Sequence, residues 1–443
     1  MNINPIEEMK TKNITKNVGL KDTSEGGESL PLAPAGKPSS ATPSAGDTPA
    51  TPPKCHTDSI LLTQNQRKHT FIDLFAGAGG LSLGLEQAGF TPIFVNEIVP
   101  QFNETYRKNR NLSDDQYFVG DIKELNEKID EYLPRFKDAD LVCGGPPCQG
   151  FSMANRQRII DDPRNQLYKE YLKLLSVVRP KFFIMENVRG MSKKWEEIKE
   201  NFETYLNANQ KESYQFSSHL LYAEDFGVPQ HRERFIVVGN RLGINPEAVF
   251  DEIFKSKQKP FVLKNALEGL PKLGTKKIKG KNDIEDSNTG FTECDFEYTE
   301  NDFYHFINGD KKLQKLYNHK NRYNNPRDIE IYTRLPQGAN SLHESITDIM
   351  PYKSRNDIFK DKYFKLEEDK ICKTITSHMR FDCNMYIHPW CSRGLSPREA
   401  ARIQTFPDDY IFYGSQNSWY AQIGNAVPVK LAYAIGKGIA KFL

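Results

Sequence analysis

Between residues 70 and 245 the chain alternates between two patterns. Short runs of consecutive apolar residues give way to longer stretches in which apolar residues recur every three or four positions. The first pattern fits strands buried on both faces, and the second fits helices laid against a sheet. Strands are predicted at 70–75, 92–97, 116–119, 140–143, 182–186, 217–223 and 234–240, and helices at 81–88, 101–110, 122–132, 163–178 and 195–207. Such alternation predicts an α/β domain with a mainly parallel sheet, because parallel neighbours need crossover helices.

The first strand passes from Phe71-Ile72-Asp73-Leu74-Phe75 into Ala76-Gly77-Ala78-Gly79-Gly80, and a helical pattern follows that ends near Gly89. Strand, glycine loop and helix open a doubly wound nucleotide-binding fold. The second strand runs into Glu97, 24 residues after Asp73, about where such folds place a carboxylate for a ribose hydroxyl pair. The loop departs from G-x-G-x-x-G, because position 82 is serine. A glycine loop alone is weak evidence of a cofactor; the acid at the strand end strengthens it.

A second loop, Gly145-Pro146-Pro147-Cys148-Gln149-Gly150, follows the apolar run at 139–143. The prolines stiffen the approach and the glycines permit a sharp bend beside a flat ligand. Cys148 there is either a nucleophile on a rigid strand-end loop or a structural thiol. Glu186 closes the strand at 182–186, so it too stands where open α/β sheets bind ligands. Arg232 and Arg234 alternate, so in an extended segment both side chains share a face.

Beyond residue 245 the pattern changes. Lysines cluster at Lys264, Lys272, Lys276, Lys277, Lys279 and Lys281. Basic, Asn-rich stretches follow at 319–327 and 353–356, beside Tyr317, Tyr323 and Tyr332. Loops of this kind suit phosphate and base-edge contacts, although a lysine run alone is more often a solvated surface. From 396 a Ser N-cap, Pro397 and Glu399 predict a helix. Gln422–Pro428 is expected to begin a terminal helix through Ile439. Residues 1–69, dominated from Glu25 to Pro53 by Gly, Ser, Pro, Ala and Thr, read as a disordered tail.

Composition adds bounds rather than identity. With 60 Lys and Arg against 58 Asp and Glu, the net charge of +2 does not announce a nucleic-acid protein, so any such field must come from local clustering. Seven cysteines without CxxC or Cys/His zinc spacing predict reduced thiols and no metal site. The chain holds no apolar run of membrane-span length and no signal-peptide core near its start. A cytoplasmic protein is expected.

Five segments occur in one order: 71–80, Pro146-Pro147-Cys148-Gln149, Glu186-Asn187-Val188, Gln230-His231-Arg232-Glu233-Arg234 and Gln422-Ile423-Gly424-Asn425-Ala426-Val427-Pro428. Together they resemble the ordered motifs of the cytosine-5 DNA methyltransferases of bacterial restriction-modification type. The resemblance covers about 70–245 and 390–443. It implies a Rossmann-like catalytic and S-adenosylmethionine-binding domain at 70–245, a smaller target-recognition domain at 246–395, and a hinge helix with a returning C-terminal segment at 396–443. Cys148 would add to carbon 6 of a flipped-out cytosine, Glu186 would supply a proton at ring nitrogen 3, and one of Arg232 and Arg234, by preference Arg234, would hold the base carbonyl while the other positions the site, a division the sequence leaves open. The methyl donor would lie against Phe75, Ala76, Gly77, Gly79, Gly80, Glu97, Ile98, Asp121, Ile122, Pro147, Asn425, Ala426 and Val427. Ala426 stands where the family often has serine, which leaves only backbone contact there. Thr374-Ile375-Thr376-Ser377-His378 resembles a short recognition-region motif. The loop at 151–158 would close over DNA. The resemblance implies a nucleoid-associated monomer whose partner is double-stranded DNA, with a cognate restriction endonuclease that acts on the same site and makes no direct contact with it. An RNA cytosine-5 methyltransferase and an orphan DNA enzyme without a nuclease are the alternatives.

Overall fold

The structure, a computed structural model, describes residues 69–147, 166–208, 210–280, 284–351 and 362–443. Cys148, the loop at 151–158, Lys281, the basic segment at 353–356 and the tail up to residue 68 lie outside the described residues. Seven strands form one sheet: β1 (His69–Leu74), β2 (Phe90–Asn96), β3 (Tyr117–Phe118), β4 (Leu141–Gly144), β5 (Phe182–Val188), β6 (Gln215–Tyr222) and β7 (Glu233–Asn240). Their order is β3-β2-β1-β4-β5-β7-β6. The first five strands run parallel, and β7 is antiparallel to both β5 and β6. The strand order reverses on either side of β1, so a crevice opens at the carboxyl ends of β1 and β4, where doubly wound sheets bind ligands.

Helices cover both faces: α1 (Gly80–Gln87), α2 (Pro100–Lys108), α3 (Ile122–Glu127), α4 (Ile129–Phe136), α5 (Leu167–Val178) and α6 (Trp195–Asn207). One face packs Ile72, Leu74, Phe94, Val142, Phe183 and Met185 against α5 and α6. The other packs Phe71, Leu141, Phe182, Ile184, Ile236 and Val238. Alternate residues of each strand thus serve opposite faces, as a doubly covered sheet requires.

The stretch expected as one helix at 122–132 is two, broken at Lys128, where φ −105° and ψ 17° leave the helical region. The bend lets Ile122 and Leu125 before it and Phe136 after it all reach the core. β5 continues two residues past Glu186, because the antiparallel pairing with β7 persists after the parallel ladder with β4 ends at Met185.

After β7 come α7 (Pro246–Phe254), α8 (Leu263–Leu267), α9 (Asp302–Asn308), α10 (Pro326–Arg334) and a two-stranded sheet of β8 (Gly290–Asp295) and β9 (Lys315–Lys320). α11 (Pro397–Ile403) begins at the Ser396 cap, with Glu399 completing a capping box. The C-terminal segment is not one helix. α12 (Gln416–Asn425) ends before Ala426, and α13 (Val429–Ala440) starts after Pro428. Pro428 pushes the residue before it out of the helical region and donates no hydrogen bond, which enforces the break. α13 lies on α1 and returns the chain to its first motif. At Gly80 a Cβ would stand 2.5 Å from the carbonyl of Val427, so only glycine permits this contact. Among the described residues no helix is long and apolar enough to cross a membrane.

Candidate active site

The expected donor residues gather at the carboxyl edge of the sheet because four parallel strands end there. Phe75 leaves β1 with φ +57°, a left-handed turn that is costly for a side-chain-bearing residue. Glu97 follows β2 and is only 6% exposed. Its two oxygens accept from the backbone nitrogens of Gly77 (2.7 Å) and Val99 (2.8 Å). Burial raises its pKa against these bonds. Each oxygen keeps lone-pair capacity for a hydroxyl donor. Ile98 beside it is 59% exposed, an apolar face next to a desolvated acid. Asp121 caps α3 by accepting from the Lys123 backbone at 2.9 Å, and Ile122 is buried behind it. Acid, apolar face and glycine loop together fit a nucleoside with free ribose hydroxyls.

The segment leading to Cys148 is fixed from below. The carbonyl of Pro146 accepts from Asn187 Nδ2 at 2.9 Å. Glu186 lies against the same segment, since a Cβ on Gly145 would sit 2.9 Å from Glu186 Oε2. Its other oxygen is 2.5 Å from Arg234 Nε, in an ion pair whose side chains are 14% and 10% exposed. Burial works against the charge on Arg234, and the Glu186 carboxylate works for it.

Arg232 does something different. It is 1% exposed, and its guanidinium donates to the carbonyls of Ile375 (2.6 Å), Gly424 (3.0 Å) and Ala426 (2.8 Å). Burial, and then the like charge of Arg234, hold its pKa well below the usual arginine value. Arg232 therefore ties the sheet to the Thr374–His378 stretch and to the C-terminal motif at once. Ala426 contributes through its carbonyl, as a residue without a hydroxyl must. Asn425 is exposed at the end of α12, and Val427 is buried.

Three contributors escaped the sequence reading. Gln230, fully buried, accepts from the Ile375 backbone at 2.7 Å and donates to Gln404 at 2.9 Å. Asn187 holds the Pro146 carbonyl. Ser82, at the position where the dinucleotide fingerprint has its third glycine, is buried and donates to Asp73 at 2.5 Å, with Tyr106 on its other side at 2.7 Å. The serine at 82 was visible as a departure, but its partners are distant in sequence.

Two readings of the basic loops change. Tyr332 is buried, not presented to a ligand: it bonds Asn384 and accepts from Asn324 at 3.1 Å. Lys276 is 5% exposed, and Arg322 donates to the carbonyls of Met379 (2.8 Å) and Arg380 (2.7 Å). A chain that builds loops without sheet or helix must satisfy their carbonyls with side chains, and Arg322 does so. Lys277 and Lys279 remain exposed.

A family model described as C-5 cytosine-specific DNA methylase matches residues 69–441. The Type II methyltransferase M1.HphI of Haemophilus parahaemolyticus is 33% identical over 383 residues, covering 84% of this chain and 87% of that protein. The Type II methyltransferase M.FnuDI of Fusobacterium nucleatum is 33% identical over 376 residues, covering 84% and 94%. A solved structure of a candidate DNA modification methyltransferase encoded within an Escherichia coli prophage superposes with a TM-score of 0.65 at 27% identity, over 84% of this chain and 99% of that one.

Proposed function

The chain belongs to the C-5 cytosine-specific DNA methylase family, and from that premise we propose that it is the modification enzyme of a Type II restriction-modification system. It methylates carbon 5 of a cytosine within a short DNA word, which a cognate endonuclease also reads. The relatives named for that role support this reading. The observation that carries the chemistry is the Glu186–Arg234 pair beside the Gly145–Pro147 segment.

Carbon 5 of cytosine is a weak nucleophile, and a stacked base is out of reach, so the target is flipped out of the duplex. The Cys148 sulfur then bonds to carbon 6, and the electron pair of the 5,6 double bond is released toward carbon 5. Glu186 meets the charge that builds toward nitrogen 3 with a proton or strong hydrogen bond. Arg234 orients Glu186 and offers its remaining donors to the base carbonyl, while Arg232 holds the pocket wall. S-adenosylmethionine would lie along Phe75, Glu97, Ile98, Asp121 and Pro147 and would supply an electrophilic methyl group, which carbon 5 would take with its released electron pair as the methyl–sulfur bond electrons leave with S-adenosylhomocysteine. Water takes the proton from carbon 5, and the carbon–sulfur bond breaks with its electrons returning to Cys148. The DNA word is read by residues within 246–395.

Duplex DNA carrying 5-fluorocytosine at the target tests this directly, because fluorine cannot leave as a proton. The expected result is a stable protein–DNA adduct mapped to Cys148, lost in Cys148→Ser and retained in Cys143→Ser. An adduct that survives Cys148→Ser, or one formed with RNA alone, contradicts the proposal.

A further inference from the structure

The strap at 407–413 between α11 and α12 is gripped from two sides. On one side Asp408 and Asn308 exchange two hydrogen bonds (3.0 and 2.8 Å), as do Asn318 and Phe412 (2.9 Å each). Arg398, fully buried, donates to the carbonyls of Tyr317 (2.7 Å), Pro407 (2.9 Å) and Tyr410 (2.6 Å). Asn308, Tyr317 and Asn318 all belong to the segment assigned to DNA reading. On the other side Ile411 exchanges two bonds with Asn109 of the α2 end (2.7 and 2.9 Å), and Tyr413 donates to Thr105 at 2.8 Å. Tyr410 reaches furthest. Its hydroxyl donates to the carbonyl of Ala78 and accepts from Arg110 Nη1 at 2.9 Å. Arg110 Nη2 in turn donates to the carbonyl of Gly79 at 3.1 Å, and its Nε is held by Glu86 at 2.7 Å.

We propose that Tyr410 is a positioning residue for the methyl-donor loop, through which occupancy of the recognition segment by DNA sets the affinity for the donor. The inference rests on the proposed function for the identity of both ligands, but its mechanical part concerns this chain alone. Two consecutive carbonyls of the glycine loop, Ala78 and Gly79, have their direction fixed by one phenol and one guanidinium. That phenol is carried by a strap whose opposite edge is bonded to the recognition segment. A shift of the strap when DNA binds therefore reorients the loop, and by reciprocity donor binding alters DNA affinity by the same factor.

The test is calorimetric titration of the full chain with S-adenosylhomocysteine, which binds without turnover, in the presence and absence of duplex DNA carrying the methylated word. Wild type is expected to bind more tightly with DNA. Tyr410→Phe, which removes only the hydroxyl, should weaken binding without DNA about threefold to tenfold and abolish most of the tightening by DNA. It should also raise the donor KM while kcat at saturating donor stays near wild type. If Tyr410→Phe fails to fold, Arg110→Lys removes the double contact to Gly79 and Tyr410 and should show the same loss of coupling. Wild-type affinity indifferent to DNA overturns the inference. So does a Tyr410→Phe protein whose melting temperature falls while its coupling persists. A wild type that binds no donor at all overturns the proposed function together with this inference.

Discussion

The two halves of this molecule are held together by different means. Around the sheet, hydrogen bonding is met within strands and helices, and side chains are free to be apolar: Phe71, Ile72, Leu74, Leu141, Val142 and Phe182 are all fully buried. Between α7 and α12 the regular structure is sparse, and buried polar side chains take over the loop carbonyls. His319 bridges Ser396 (2.9 Å) and Pro271 (2.8 Å), and Asn321 donates to Gly274 (2.6 Å) and Asn288 (2.5 Å). Arg393 pairs with Glu399 and Arg402 with Asp408, all four nearly fully buried. A sheet tolerates change on its surface but fixes its strand ends. A scaffold of loops can present varied side chains, at the cost of depending on individual polar contacts. The first suits a constant chemical step and the second suits a variable word.

The largest effect expected from breaking this division lies at the strand ends. Glu186→Gln should lower kcat by roughly 10²–10⁴-fold, with DNA and donor binding retained. Glu97→Ala should do the reverse, weakening donor binding in calorimetry and sparing DNA binding. Equal loss of both ligands in either variant would contradict the assignment of chemistry to one strand end and donor to the other.

In the loop scaffold the corresponding break is structural. Burial opposes the charge on Asp408, but Arg402 at 2.8 Å, with Arg398 and Asn308, outweighs it and holds the carboxyl below its usual pKa. Asp408→Ala leaves Arg402 buried without its partner and should cost about 3–5 kcal/mol, read from urea unfolding. A loss below about 1 kcal/mol, the range of a surface pair, would show that the scaffold does not rely on it.

The smallest effect separates the halves by pH. Burial pushes the Asp73 carboxyl up to about 7, against the hydrogen bond from Ser82. Its contribution is complete below its ordinary value of 3.8 and is lost as pH rises toward 7, because the unfolded chain gives up the proton first. Burial pushes His319 down to about 4, so its contribution is complete above 6.5 and is lost as pH falls. Relative to wild type, Asp73→Asn should therefore gain stability between pH 5 and 7, and His319→Gln should gain it from 7 to 5. Urea midpoints at the two pH values give the signs, and matching signs would refute the electrostatic account.

The same contrast governs what the sequence alone could tell. Every strand and helix expected between 70 and 245 has a counterpart, and the helix Trp195–Asn207 coincides at both ends, because a 3.6-residue apolar period needs no knowledge of the rest of the chain. Glu97 and the Ser396 cap were legible for the same reason: each is fixed by its position at an element's end. Glu186 was expected to close its strand, but β5 runs on to Val188 because its pairing with β7 cannot be read from local sequence. Gln230 and Asn187 were not legible, since their partners Ile375, Gln404 and Pro146 are set by the tertiary fold. In the loop scaffold the composition misled. Tyr332 and Lys276 have the chemistry of surface readers and the burial of core residues, and local sequence carries no signal for that difference.

The central claim is that the word is read by the loop scaffold while the chemistry stays with the sheet. The expected boundary at 246 shifts, because Val249, Phe250 and Ile253 of α7 pack in the sheet core with Ile236 and Val238. The most direct measurement therefore replaces residues 262–395 by those of a relative that methylates a different word, and maps methylation by bisulfite sequencing of a host expressing the exchanged protein. The account predicts that the methylated word becomes the relative's and that the mark remains on carbon 5 of cytosine. Retention of the original word by the exchanged protein would place recognition elsewhere and contradict the claim.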